Sequence, residues 1–298
     1  MMESKVELMI VGAQKAGTTS LKNYLGQHPS LTTHQLTEFS FFVNDEDYKD
    51  GFEKICKTYF PKQTITPEKK IVAKNAGIYY NEKALSRLQQ HNPNCIVVLI
   101  IRNPVERAYS SYNMEIESGW FKKKWNTILY SINKFRNGET DQMFRLFINL
   151  GMYSEHLKKI YKYFPSDHVE VVLFDDLKED ATLICQRLFR KLNIESSFSP
   201  DTNAIFNPTE KLRSKKIGKL LVWLMDNKNP IKKIFKSFLP SAAFSKIRIW
   251  LWKVNTAGII AAQKPMAPEI RQVLIEFFKP YNEKLESMTG LNLKKWNQ

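Results

Sequence analysis

Residues 6–25 read VELMIVGAQKAGTTSLKNYL, and this stretch decides the fold class. It opens with a short apolar run rich in β-branched residues, Val6–Val11, which is typical of a strand buried in a parallel sheet. Leu21, Tyr24 and Leu25 then follow at the spacing of one helix face. The stretch therefore predicts a strand, a tight turn and a helix in direct succession.

The turn between that strand and that helix has the composition of an anion-binding loop. Two glycines, Gly12 and Gly17, allow a tight turn that brings backbone N–H groups to an anion, and the helix N-terminus adds partial positive charge. The nucleotide P-loop pattern G-x-x-x-x-G-K-[ST] fits at both glycines, but Thr18 occupies its lysine position and Lys15 comes three positions earlier. A lysine there suits a single 5′-phosphate and its bridging oxygen. An ordinary glycine-containing turn is the alternative for the two glycines alone.

A second apolar run, Ile96–Ile101, ends in a similar way. The sequence continues RNPVERAYS from Arg102 to Ser110. Asn103 is a good N-cap and Pro104 a good first helical residue, so a helix is expected to begin there. Arg102 then lies at the carboxyl end of a strand beside a positive helix terminus, where it suits bidentate contact with a phosphate. The alternative is an arginine paired with a nearby carboxylate.

Further strands and helices extend this pattern along the chain. Apolar runs at Ile71–Ala73 and Val169–Phe174 predict two more strands. Additional helical stripes lie at residues 105–116, 157–164 and 270–281. Strands alternating with helices predict an α/β fold, a central parallel sheet flanked by helices, in a single domain over residues 1–298. Ligands bind beyond the carboxyl ends of such strands, which is where both candidate loops fall.

Composition narrows the class of protein and its location. The chain has 45 Lys+Arg against 30 Asp+Glu, a net charge of +15. Such a field attracts polyanions, anionic membranes or phosphorylated small molecules, and solubility is its other explanation. Three widely spaced cysteines, Cys56, Cys95 and Cys185, show neither a disulfide framework nor zinc spacing, which fits a reducing compartment. No run reaches the roughly 18–20 apolar residues of a membrane span. We therefore expect a cytoplasmic protein.

Together the two loops resemble the family of sulfotransferases that use 3′-phosphoadenosine 5′-phosphosulfate (PAPS), in its heparan-sulfate-type and bacterial branch. Gln14–Thr19 is similar to the 5′-phosphosulfate loop of the family, and Arg102–Ser110 to its 3′-phosphate motif R-x-P-x-x-R-A-x-S. Thr37–Phe42 and Lys74–Tyr80 resemble the E-x-x-F-F and K-x-x-x-Y-[FY] segments of that branch. The similarity extends over nearly the whole chain.

The resemblance implies an enzyme (EC 2.8.2.-) that moves a sulfuryl group from PAPS to a hydroxyl or amine and releases adenosine 3′,5′-bisphosphate (PAP), without a metal ion. It implies that Glu38 is the general base, that Lys15 neutralises the leaving phosphate, and that Lys74 faces the substrate or the sulfate. The aromatic cluster around Phe41 is expected to wall the acceptor cleft. The residues implied to bind the nucleotide are Gln14, Lys15, Ala16, Gly17, Thr18, Thr19, Arg102, Ser110 and Arg213.

Two features depart from the branch. Ser40 stands where the branch usually carries histidine, which removes one polar contact near the acceptor. The late disulfide loop of the branch is not visible, and residues 207–216 are expected to replace it, with Arg213 or Lys215 assisting at the 3′-phosphate. A basic run that is only a solvated face is the alternative for that segment.

Several interpretations stay open at this point. Val171–Asp175 also fits the magnesium-binding strand end of a nucleotide kinase, and a non-catalytic basic module that binds polyanions or membranes is a further alternative. His34 is a minor candidate for the base. Residues 219–251 fit either a peripheral membrane contact or a helical pair packed over the acceptor cleft. A carbohydrate, a lipid-linked substrate or another metabolite would serve as acceptor; no nucleic acid partner is expected, and the oligomeric state is not encoded in any pattern.

Overall fold

The computed structural model describes residues 5–60, 66, 68–118, 121–203 and 265–298. A five-stranded parallel sheet lies at its centre, with the strand order β2-β3-β1-β4-β5. The strands are β1 (Val6–Gly12), β2 (Leu31–Thr33), β3 (Lys70–Lys74), β4 (Ile96–Ile101) and β5 (Val169–Leu173).

Helices alternate with the strands along the chain, as the sequence predicts. The described α-helices are α1 (Thr18–Leu25), α2 (Asp45–Asp50), α3 (Phe52–Tyr59), α4 (Glu82–His91), α5 (Pro104–Ser118), α6 (Thr127–Arg136), α7 (Tyr153–Tyr161), α8 (Phe174–Glu179), α9 (Ala181–Lys191) and α10 (Pro268–Thr289). A π-helical turn, Phe144–Ile148, and a 3-10 turn, Asn149–Gly151, precede α7. Side chains of Asn44, Asn81 and Asp180 cap α2, α4 and α9.

The predicted α/β architecture is confirmed, with small differences at the strand ends. All six residues of β4 are buried, which is why this strand reads as a continuous apolar run. β5 ends at Leu173, one residue earlier than predicted, because Phe174 begins α8. The short edge strand β2, which pairs with β3, is not predicted from the sequence.

The apolar core forms two clusters that meet beside the sheet. The first surrounds the strands and includes Leu150. The second joins α5, α6, the π-helical turn and α10, and includes Phe147. Residues 147 and 150 also line the cleft described below, so the cleft lies at the junction of the two clusters.

Two sets of sequence predictions cannot be compared with this architecture. Arg213 and residues 207–216, together with the basic and apolar segment 219–251, lie outside the described residues. Within the described ranges, no helix combines the length and the apolar character that crossing a bilayer requires.

Candidate active site

The carboxyl ends of β1 and β4 lie side by side, because these two strands pair in the middle of the sheet. After β1 the chain forms β2 and β3 on one side of it, and after β4 it forms β5 on the opposite side of the sheet. The ends of β1 and β4 therefore form the switch point at which parallel α/β sheets bind ligands. Arg102, just after β4, donates a hydrogen bond from Nη1 to the carbonyl oxygen of Lys15 in the loop after β1, at 3.2 Å. The structure therefore brings the two predicted anion-binding segments together.

The loop after β1 has an unusual backbone. Lys15 and Gly17 both adopt positive φ, 69° and 82°. A lysine in this conformation is uncommon, and such residues concentrate at functional sites. α1 begins directly after Gly17 and has no side-chain cap. Its first turn therefore presents the partial positive charge of a helix N-terminus next to Lys15.

Lys15 and Arg102 form a pair of half-buried cations. Burial lowers the pKa of the Lys15 ammonium, and the nearby Arg102 charge lowers it further, while Glu115 acts in the opposite direction. Burial likewise lowers the pKa of Arg102. Of the ion pairs among the described residues, none involves either cation. Two adjacent, partly desolvated cations that form no ion pair in the described part of the chain fit an anionic ligand such as a phosphate.

The start of α5 supports this site from the other side. Asn103 caps the helix, since its Oδ1 accepts the N–H of Val105 at 3.0 Å, as predicted. Ser110 is buried on α5, two turns beyond the cap. The neighbouring Ser111 donates from Oγ to Oε1 of Gln14 at 3.1 Å. Gln14 of the first loop is thus tied to the helix that follows the second.

Glu38 and Lys74 form the second part of the site. Lys74, at the end of β3, is only 2% exposed, and its Nζ donates to Oε1 of Glu38 at 2.7 Å. The same ammonium donates to Oγ1 of Thr19 at 3.1 Å and to the carbonyl of Thr37 at 3.0 Å. The other carboxylate oxygen of Glu38 accepts the N–H of Ala76 at 2.9 Å. Lys74 therefore fixes Glu38 beside α1 and uses all three of its protons to do so.

His34 and Lys22 lie behind this ion pair. Nε2 of His34 accepts the backbone N–H of Lys74 at 3.0 Å, and Nζ of Lys22 donates to the carbonyl of His34 at 2.8 Å. Burial lowers the pKa of His34 to about 3, with the charge of Lys22 as the next cause. Burial, followed by the charge of Lys74, lowers the pKa of Lys22 to about 8. A buried histidine whose Nε2 is already engaged supports the backbone of β3, and this position does not favour it as a base.

A cleft of about 280 Å³ opens next to Glu38. Gln14, Tyr80, Glu115 and Phe147 are among the residues that line it. The sequence prediction for Phe41 does not fit this geometry. Phe41 is 4% exposed and packs against Phe39, Phe42, Tyr48 and Phe52 in the core, so the aromatic cluster lies on the buried side of the Glu38 segment and does not wall the cleft.

The irregular wall of the cleft is held by three buried side chains. Arg107 donates from Nη2 to the carbonyl of Phe147, Nε2 of His156 donates to the carbonyl of Asn149 at 2.8 Å, and the hydroxyl of Tyr79 donates to the carbonyl of Leu150 at 2.8 Å. Each bond satisfies a carbonyl in the segment that runs from the π-helical turn to the 3-10 turn. The wall is therefore preorganised rather than loose.

Residues after β5 complete the anion site in a way that the sequence did not suggest. The guanidinium carbon of Arg102 lies 5.1 Å from the ring centre of Phe174, a cation–π contact. Asp175, the candidate magnesium ligand of the kinase alternative, is exposed and pairs with Lys178 at 2.6 Å. Phe174, Ser111 and Glu115 are the residues that sequence reasoning missed, because none belongs to a motif of its own.

Comparison with known proteins gives consistent results. A family model described as a sulfotransferase domain matches residues 5–229. The chain is 25% identical over 290 residues to heparan sulfate glucosamine 3-O-sulfotransferase 5 of Mus musculus and to that of Homo sapiens, covering 96% of this chain and 72% of each relative. It is also 24% identical over 227 residues to the bifunctional heparan sulfate N-deacetylase/N-sulfotransferase 1 of Caenorhabditis briggsae, covering 70% of this chain and 25% of that relative.

Among solved structures, a sulfotransferase from Alicyclobacillus acidocaldarius has the same fold. It superposes with a TM-score of 0.67 at 18% sequence identity and covers 99% of this chain and 100% of that one. At this identity the similarity concerns the fold alone.

Proposed function

The chain belongs to the sulfotransferase family, enzymes that transfer a sulfuryl group to an acceptor (EC 2.8.2.-), and we propose that its donor is PAPS. The observation that carries the proposal is the meeting of Lys15 and Arg102 at the switch point, as two adjacent cations that form no ion pair among the described residues. A nucleotide with two separate phosphate groups matches two separate cationic segments.

In this proposal, Lys15, Thr18 and Thr19 hold the 5′-phosphosulfate, and Arg102 and Ser110 hold the 3′-phosphate. PAPS supplies the activated sulfuryl group and is released as PAP. Lys15 and the N-terminus of α1 stabilise the negative charge on the departing phosphate oxygen. The remaining residues proposed to contact the nucleotide are Gln14, Ala16, Gly17 and Arg213.

We further propose that Glu38 is the general base. The acceptor oxygen or nitrogen forms the new bond to sulfur, the bond from sulfur to the phosphate oxygen breaks, and the acceptor proton passes to Glu38. Its side chain is 39% exposed and borders the cleft, so an acceptor can reach it. Lys74 is a positioning residue, since its ammonium holds the carboxylate between α1 and the end of β3. The positive charge comes from the chain itself, so the proposal includes no metal ion.

The acceptor is proposed to be a carbohydrate, a lipid-linked substrate or another metabolite with a hydroxyl or amine. A cytoplasmic location is proposed from cysteine usage and composition. A peripheral membrane contact is a second proposal, and it is based on the basic and apolar residues of segment 219–251. Liposome co-sedimentation at low and high salt tests it directly. No nucleic acid partner is proposed.

A binding experiment tests the donor. PAP, PAPS and ATP with Mg²⁺ are titrated into the protein by calorimetry, with EDTA present in the PAP and PAPS titrations. We expect PAP and PAPS to bind without metal and to raise the melting temperature by mass action, and ATP with Mg²⁺ to bind more weakly. Tighter binding of ATP with Mg²⁺ than of PAP would favour the kinase alternative and reject the proposal.

A further inference from the structure

A second carboxylate faces the same cleft as Glu38. Glu115 lies on α5 one helical turn beyond Ser111, and both residues line the cleft. Burial raises the pKa of Glu115, while the charge of Lys15 acts to lower it. Glu115 is therefore partly desolvated and close to the loop proposed to bind the donor. A carboxylate in such a position favours ligand groups that are cationic or donate hydrogen bonds, and it disfavours anionic ones.

The rest of the cleft has the chemistry of a sugar site. Tyr80, which is 40% exposed, supplies an aromatic ring, and Gln14 supplies an amide group whose Oε1 accepts from Ser111 and whose Nε2 is a hydrogen-bond donor. Among the described residues that line the cleft, two are carboxylates and none is a lysine or an arginine. The described lining therefore offers hydrogen-bond partners to a polyol and no cation to a carboxylate or sulfate.

We propose that Glu115 selects the acceptor: its carboxylate accepts a hydrogen bond from a hydroxyl or ammonium group of a neutral or amine-bearing sugar and disfavours acceptors that carry a uronate or sulfate at that place. This inference rests on the proposed function, because it assigns the substrate class of the same site. Repulsion of a like charge and the missing hydrogen bond act in the same direction against an anionic acceptor.

Three glycosides of one size test the proposal: p-nitrophenyl β-D-glucopyranoside, its 2-amino-2-deoxy analogue, and p-nitrophenyl β-D-glucuronide. Their affinities are measured by calorimetry for the protein saturated with PAP, so that no turnover is needed. We expect the glucoside and the amino sugar to bind about tenfold more tightly than the glucuronide. Glu115→Gln should reduce that preference to about twofold, and Glu115→Lys should reverse it.

The control is Glu117→Gln, a carboxylate on the same helix that does not line the cleft, which should keep the wild-type preference. A glucuronide that binds as tightly as the glucoside, a preference unchanged in Glu115→Gln, or no binding of any of the three glycosides would overturn the proposal. The titration with PAP, done first, distinguishes failure of the proposed donor from failure of the proposed role of Glu115. Loss of PAP binding rejects the proposed donor, whereas normal PAP binding without glycoside selectivity rejects only the role of Glu115.

Discussion

The site has a nucleotide end, around Lys15 and Arg102, and an acceptor end, around Lys74 and Glu38. The two ends use their lysines in opposite ways. At the nucleotide end, Lys15 sits beside Arg102 and, within the described residues, has no ion pair. At the acceptor end, Lys74 is almost fully buried, and its ammonium donates to a threonine hydroxyl, a backbone carbonyl and the Glu38 carboxylate. Lys15 follows β1, and Lys74 is the last residue of β3, the neighbouring strand of the same sheet.

This difference separates ligand binding from positioning. A cation without a protein partner gains most when an anionic ligand arrives, because the ligand supplies the missing charge. A lysine whose three protons are already engaged has no donor left for a ligand, and its effect reaches the substrate through the group it holds. Lys15 is thus expected to control nucleotide affinity, and Lys74 to control the orientation of Glu38.

The largest expected effect concerns the acceptor end. Glu38→Gln keeps the shape of the side chain and removes the proton acceptor, so kcat should fall by roughly 10²–10⁴-fold. The affinity for PAP should stay within about twofold of wild type, since the bonds of Glu38 in the described part of the chain go to Lys74 and Ala76 and to no residue of the nucleotide loop. Steady-state kinetics with labelled PAPS and calorimetry with PAP measure the two quantities separately. Glu46→Gln, an exposed carboxylate on α2, is the matched control. Near-normal turnover of Glu38→Gln would assign the proton to another group.

The second prediction uses Lys22, which lies behind the acceptor end. Its pKa is lowered from 10.5 to about 8 in the folded protein, chiefly by burial. The unfolded chain therefore binds more protons between these values, and stability rises with pH across the window. The wild-type free energy of unfolding should gain about 3 kcal/mol relative to Lys22→Met from pH 8 to pH 10.5. Urea unfolding at each pH measures the difference, with Lys57→Met, an exposed lysine on α3, as control. A difference that stays constant with pH would mean that Lys22 is not desolvated.

The third prediction compares the two lysines directly. Lys15→Met and Arg102→Met should each weaken PAP binding by roughly 10–100-fold, the equivalent of about 1.5–3 kcal/mol for a charge-assisted contact. Lys74→Met should lower kcat strongly. It should change PAP affinity by less than about threefold, because the described contact of Lys74 with the nucleotide loop is a hydrogen bond to the neutral Thr19 hydroxyl. Calorimetry of the three variants, checked for folding by circular dichroism, decides between the roles. Equal losses of PAP affinity in Lys15→Met and Lys74→Met would contradict the different roles proposed for the two lysines.

The sheet could be predicted from the sequence because buried parallel strands are continuous in apolar residues. β4 is buried along its whole length, and its run IVVLII is the clearest in the chain. β2 has only three residues at the edge of the sheet, too few for any periodicity to appear. The meeting of Lys15 and Arg102 also followed from the sequence, since residues after strands of one parallel sheet gather at one edge.

The acceptor end could be predicted only in part, because its contacts join distant segments. The pairing of Lys74 with Glu38 spans 36 positions, and no local pattern indicates that the lysine would be saturated by it. Phe41 was misplaced because an aromatic cluster next to a polar residue fits a cleft wall and a core equally well. The carboxylate of Glu38 points outward while the rings of its neighbours pack inward. No sequence pattern distinguishes Glu115 from an ordinary carboxylate on a helix.

The smallest expected effect concerns the packing under the nucleotide end. Gly17 has a φ of 82°, and a Cβ at this position would lie 3.0 Å from the ring of Phe174, the same ring that contacts Arg102. Gly138 has a φ of 83° with nothing within 4 Å of its Cβ position. Both glycine-to-alanine variants should therefore lose about 1–2 kcal/mol of stability from the backbone conformation. Only Gly17→Ala should also displace Phe174, and through it Arg102, which should weaken PAP binding by about three- to tenfold. Thermal unfolding and calorimetry of the two variants separate backbone strain from the contact, and an unchanged PAP affinity in Gly17→Ala would show that Phe174 does not transmit the change to Arg102.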